Sequence, residues 1–160
     1  MSTRTLTPPQ QPFIRLLDAA FATFASELEE RIAGTEFSDI RLSHGCVFGN
    51  IEPDGSRLTD LAERARMTKQ SVGEATTDLV ERGYAERLPD PSDGRAKIIR
   101  LTDRGRLAQA TGRRLIDELE REWGERFGVE RIAALRDALQ AVGSERLAAL
   151  PDFGIVPARS

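Results

Sequence analysis

Residues 58–105 read LTDLAERARMTKQSVGEATTDLVERGYAERLPDPSDGRAKIIRLTDRG, and the order of local signals within them specifies the architecture. Thr59 can cap a short helix over 60–65, with Leu61, Ala62 and Ala65 turned inward. Met67 falls in a tight turn. Thr68 caps a second helix that runs to about Arg82; its apolar face is Val72, Ala75, Leu79 and Val80, and Gly83 stops it. Small Ala62 lets the two helices approach closely where they cross. Two short helices about three residues apart form a helix-turn-helix, with a plain helical hairpin as the alternative. Residues 84–101 favour the helix-turn-helix. There 84–88 (YAERL) alternate as a strand, 89–94 (PDPSDG) are turn-forming, and 97–101 (KIIRL) alternate again. A hairpin directly after the second helix makes a winged helix. Thr102 then caps a long helix, with Asp103 at its positive end.

On the N-terminal side of this stretch, Phe13, Leu17, Ala20, Phe21, Phe24 and Leu28 share one face of a helix that starts at Pro12 and ends at Gly34. A second helix is expected over 38–51. Ile40, His44, Val47, Phe48 and Ile51 lie on one side of it, and Leu42 and Cys46 on another; apolar residues on two sides mark a helix buried mid-domain. Beyond the wing, Leu107, Thr111, Leu115, Leu119 and Trp123 form an i+4 row on the long helix, which Gly128 breaks. A last helix places Ile132, Leu135, Leu139 and Val142 inward, with a weak point at Gly143 and Ser144. The fold class is mainly α with a small β-wing. Residues 1–11 read as a flexible arm, 12–150 as a single domain and 151–160 as a tail. Within the domain, 56–102 are the winged helix-turn-helix, flanked by helices at 12–33 and 103–150.

The chain has 160 residues, 39% hydrophobic and 31% charged, the composition of an ordinary soluble globular domain. No apolar run approaches the roughly 18 residues of a membrane span, and the first dozen residues lack a signal-peptide core, so a cytoplasmic protein is expected. With one cysteine, Cys46, and one histidine, His44, an internal disulfide is impossible and a Cys/His zinc site lacks ligands; no metal or cofactor is expected. No nucleophile elbow or Gly-rich phosphate loop is present, and no catalytic residue is assigned. The net charge is −3, but residues 87–106 carry six basic side chains against three acidic ones. That local surplus is compatible with nucleic acid, although on charge alone a solvated surface is the commoner reading.

The order of elements and several strings within 58–105 resemble the MarR (multiple-antibiotic-resistance regulator) family. The wing tip Asp93, Gly94, Arg95 and the start of the long helix at Leu101, Thr102, Asp103, Arg104, Gly105 are the most specific, and the likeness spans roughly residues 12–143. It implies a homodimer, held by the N- and C-terminal helices, with two winged helices facing one DNA duplex. The family's recognition helix falls on residues 68–82, and its DNA face on Thr68, Lys69, Gln70, Ser71, Glu74 and Thr77. Gln70 has the groups to pair with adenine and Glu74 to accept from cytosine N4; Thr68, Lys69 and Ser71 suit phosphates. Many relatives carry a basic or hydroxyl side chain where Glu74 stands, and its alternative is a helix-surface residue. The family's wing arginine falls on Arg95, suited to a narrow minor groove. Asp93 is expected to hold the Arg95 guanidinium or to serve as a plain turn residue, and Lys97 to add a phosphate contact.

The resemblance further implies a small aromatic or phenolic effector bound between the dimer base and the DNA-binding lobe. The candidate lining is Phe13, Leu17, Phe21, His44 and Phe48, with His44 the polar anchor or else a packed, hydrogen-bonded histidine. Cys46 reads as a buried inert thiol, a redox-sensing role being its alternative. The function expected is a sequence-specific DNA-binding regulator, a ligand-responsive repressor acting as a homodimer on an inverted repeat. A winged helix serving protein interaction without specific DNA binding, and an enzyme using His44 or Cys46, are the other classes.

Overall fold

The computed structural model describes residues 11–147. The expected arm and tail, apart from Gln11, and residues 148–150 of the expected domain lie outside the described residues. Among the described residues, six helices and a three-stranded antiparallel sheet follow in the order α1 (Phe13–Ala33), α2 (Leu42–Phe48), β1 (Ser56–Arg57), α3 (Leu58–Ala65), α4 (Lys69–Glu81), β2 (Ala85–Asp90), β3 (Asp93–Leu101), α5 (Asp103–Phe127) and α6 (Val129–Leu147). The mainly helical fold with a small wing is the one the sequence pattern predicts.

Two caps form as expected. The Thr68 hydroxyl accepts the Ser71 N–H at 3.1 Å and starts α4. Thr102 does the same for Gly105 at 3.1 Å and starts α5. Each satisfies one of the backbone donors that a helix start leaves without an intrahelical acceptor. Thr59 does not cap α3. That helix begins at Leu58, because β1 pairs with Ile98 and Ile99 and runs straight into it, which leaves the extended Arg57 as the flanking residue. The turn between α3 and α4 places Arg66 in the left-handed region, at φ 50°.

β1 was not legible in the sequence. It pairs with β3 and gives the sheet order β1-β3-β2. The wing strands are longer than the alternation suggests: β2 continues through Pro89 and Asp90, and β3 begins at Asp93. Asp90 faces Asp93 across a two-residue turn, while Pro89 faces Lys97. Residues 94–96 are therefore extra on the β3 side and bulge outward.

The winged-helix core gathers Phe37, Val47, Phe48, Leu61, Val72, Leu79, Tyr84, Ile99 and Leu101. Phe37 and Phe48 both meet the Tyr84 ring edge-on. Fully buried Thr76 stands on the inward face of α4 beside Val72 and Leu79. A second cluster, Leu28, Leu115 and Leu119 with Phe24 and Trp123 against it, joins α1 to the distal half of α5. The Trp123 indole N–H and Arg126 both donate to Glu27 there, and these donors hold the Glu27 carboxyl below its usual range. Helix α5 thus spans both clusters.

Three expectations about burial need correction. Helix α2 is seven residues long, not fourteen: Ile40 precedes it and Gly49 ends it, yet both Ile40 and Ile51 still pack on the core. Leu107 faces solvent, and Ala108 takes the inward position with Leu115 and Leu119. Leu135, Leu139 and Val142, expected inward, are exposed, as are Phe13 and Phe21 on the α1 face that could pack on its own domain or on a second subunit. These side chains of α1 and α6 stay on the surface because the described residues of a single chain do not cover them. Helix α6 passes Gly143 and Ser144 without a break.

Candidate nucleic-acid interface

Helix α4 presents Lys69, Gln70 and Glu74 outward, with Ser71 and Thr77 half-exposed. Gln70 Nε2 donates to Glu74 Oε1 at 3.1 Å, one turn along the helix. The Thr68 and Ser71 hydroxyls lie 2.8 Å apart and are bound up in the cap. Thr77 Oγ1 donates to the Gly73 carbonyl at 2.8 Å and accepts from Arg87 Nη2 at 2.7 Å. Arg87 belongs to β2 and was not among the residues singled out from the sequence. It joins Gln70, Gly73, Glu74, Thr77, Asp78 and Glu81 in lining one open groove. Its alternating, outward position on β2 was the signal that could have found it.

The wing is pinned beside its turn. Arg57 Nε donates to Asp90 Oδ2 at 2.6 Å, and Asp90 Oδ1 accepts both the backbone N–H and the hydroxyl of Ser92. With those two bonds first and Arg57 after them, the Asp90 carboxyl is pushed down to about 2. Arg95 is exposed on the bulge and Lys97 on the strand below it. Asp93 does not hold the Arg95 guanidinium. Its Oδ1 accepts the Arg95 backbone N–H at 3.1 Å, the turn-residue arrangement, because its side chain reaches its own loop first.

Between α1, α2 and α5 lies a cavity of about 330 Å³. Phe21, Phe24, Leu28, Leu42, Phe48 and Ile116 make its apolar lining; Cys46, Gln109 and the exposed Arg41 and Arg113 are its polar members. Gln109 Nε2 crosses from α5 to donate to the Phe48 carbonyl at 2.7 Å. Of the five predicted lining residues, Phe21 and Phe48 are there. Leu17 lines an adjoining groove between α1, α5 and α6 instead, and Phe13 lies outside both. Cys46 is half-buried on the cavity wall rather than fully enclosed.

His44 is not a cavity residue. It is buried on the other side of α2, its Nδ1 accepting the Arg41 N–H at 3.1 Å and its Nε2 lying 2.9 Å from Asp78 Oδ2. One ring nitrogen accepts from the backbone, so the proton sits on Nε2 and is donated to the carboxylate. Burial, opposed by Asp78, holds the His44 pKa below the usual histidine value. The Arg82 side chain bonded to Asp78 lowers that carboxyl as well.

Residues 38–96 match the family model described as the MarR family. Among solved structures the chain is similar to the reduced form of MarR from E. coli, with a TM-score of 0.72 and 22% identity, covering 83% of this chain and 97% of that one. It is similar to Streptococcus pneumoniae FabT in complex with DNA, at TM-score 0.71 and 20% identity over 84% and 95% of the two chains. It is also similar to CouR from Rhodococcus jostii RHA1 bound to p-coumaroyl-CoA, at TM-score 0.63 and 22% identity over 79% and 88%. No curated protein sequence matches. Residues 38–96 thus carry a segment similar to the MarR family, and the flanking helices complete a MarR-like winged helix-turn-helix fold.

Proposed function

We propose that this chain is a ligand-responsive repressor that binds an inverted-repeat operator as a homodimer. The observation that carries the reading is the pairing of an exposed polar face on α4 with an Arg95-bearing bulge on the wing beside it. A helix presenting Gln70 and Glu74 has the hydrogen-bonding groups to read base edges in a major groove. Lys69 and Lys97 suit the phosphates that set register, and Arg95 the negative potential of a narrow minor groove. FabT, of the same fold, was solved in complex with DNA.

The exposed apolar residues of α1 and α6 support a dimer, since a face of that size gains by being covered. A twofold dimer would favour half-sites about one helical turn apart. The apolar cavity with a few polar members suits a small aromatic or phenolic acid, and CouR, of the same fold, was solved bound to p-coumaroyl-CoA.

Selection from a random duplex pool tests the reading. Enrichment of an inverted repeat, bound with an affinity that falls steeply as salt rises, is the expected result; no enrichment at low salt overturns it. A second reading, a winged helix that contacts protein, is favoured by the acidity of the groove, where Glu74, Asp78 and Glu81 outnumber Arg87. Salt-insensitive failure to retain any duplex would select it.

A further inference from the structure

We propose that His44 is a positioning residue that relays the state of the cavity to the recognition helix, an inference that rests on reading the cavity as the effector site. Helix α2 is short and two-sided. Leu42, Gly45 and Cys46 on one side form cavity wall, while His44 on the other is hydrogen-bonded to Asp78 in the third turn of α4. Asp78 is itself held in place: it also accepts from Arg82 Nε at 2.7 Å, and Arg82 reaches Asp39, just ahead of α2, at 3.4 Å. Helix α4 is thus tied to the segment walling the cavity at two points, and a shift of α2 enters α4 beside Thr77 and the groove it lines.

The geometry requires a neutral imidazole. Nδ1 accepts the Arg41 N–H, so a second proton there would set two donors against each other and release the start of α2. The charged groups facing the ring are Asp78 of α4, Arg82 at the end of that helix and Arg41 from the segment before α2. Behind them Asp39 accepts from the Tyr84 hydroxyl, which in turn accepts from Arg104 of α5. Protonation therefore frees the start of α2 from His44, while the Nε2–Asp78 bond to α4 is kept.

The cavity can be filled without knowing its ligand. Gly112 of α5 lines it, and a side chain begun there meets open space. Affinity for the selected duplex is measured for Gly112→Leu in three backgrounds: the parent, His44→Asn, whose amide can keep the Arg41 bond while losing Asp78, and His44→Gln, whose longer side chain can keep Asp78. We expect Gly112→Leu to lower affinity about tenfold in the parent, less than about twofold with His44→Asn, and nearly as in the parent with His44→Gln. As pH falls below the ordinary histidine value, far enough to protonate the buried His44, the parent should lose affinity severalfold and His44→Gln should not. Equal losses in all three backgrounds would overturn the relay and leave the effector reading standing. No loss in the parent would overturn the effector reading, and the relay with it. Thermal unfolding accompanies each variant, and Asp78→Ser, which cuts the bond from the other helix, carries the test should His44→Asn not fold.

Discussion

Arg87 of β2 donates to Thr77 of α4 at 2.7 Å. The bond fixes the position of β2 relative to α4, and Arg87 is the cation in a groove otherwise lined by polar and acidic side chains. A guanidinium has five N–H donors, so the Thr77 bond leaves others for a phosphate. Arg87→Ala should weaken DNA binding across all sequences and reduce the salt slope by about 1. Titrations at several salt concentrations check this; an unchanged slope would assign Arg87 to structure alone.

Gln70 and Glu74 are bonded to each other before any DNA arrives. Gln70→Ala should relax preference at one base pair, at a cost of roughly 1–3 kcal/mol. Glu74→Ala removes a carboxylate that phosphates repel, so binding to random duplex should tighten while discrimination narrows. Paired measurements on selected and random duplexes separate the two effects, and a uniform loss from both variants would contradict this assignment.

Acid should destabilise the domain over two pH ranges. His44 titrates below its unfolded value, so the unfolded chain binds more protons and stability falls as pH drops through about 6.5 toward the folded value. Asp90, at about 2 against an ordinary 3.8, gives stability that is present above 3.8 and lost between 3.8 and 2. Urea unfolding against pH should lose its upper slope in His44→Gln and show a shallower lower slope in Asp90→Asn, Glu27, Asp39 and Asp78 supplying the remainder.

At Gly105, in the first turn of α5, an added Cβ would overlap the Tyr84 carbonyl oxygen. That neighbour is backbone and cannot turn aside. Gly105→Ala should destabilise by about 3 kcal/mol or more, at the upper end for overpacking. Thr102→Ala, which removes the cap and the hydroxyl's bond to the Gly83 carbonyl, should cost about 1–2 kcal/mol. Denaturant midpoints rank them, and the reverse order would place the close approach elsewhere.

Phe13 and Val142 are 75% and 83% exposed. Changing either to Glu should leave the fold of one chain intact and dissociate the proposed dimer. Sedimentation at micromolar concentration and thermal unfolding check both halves; a monomeric parent would remove the dimer reading.

Features that act within a few residues of one another were legible in the order of amino acids. Thr68 and Thr102 reach N–H groups three positions on, and the wing turn falls where proline, aspartate and glycine crowd together, since each such choice is made by local geometry and sterics. The exposed face of α4 was legible for the same reason, since helical periodicity separates Gln70 and Glu74 from Val72 and Leu79, while its reading as a DNA face came from the family resemblance. Contacts between distant segments were settled by folding. The pairing of Ser56 with Ile99, the reach of Arg87 to Thr77, the side of α2 on which His44 is buried and the exposure of Val142 all depend on which surfaces meet. A histidine on an apolar stripe could have faced a cavity or a carboxylate. Packing against α4 turned it to Asp78, because a buried imidazole needs partners for both nitrogens and Arg41 and Asp78 supply them.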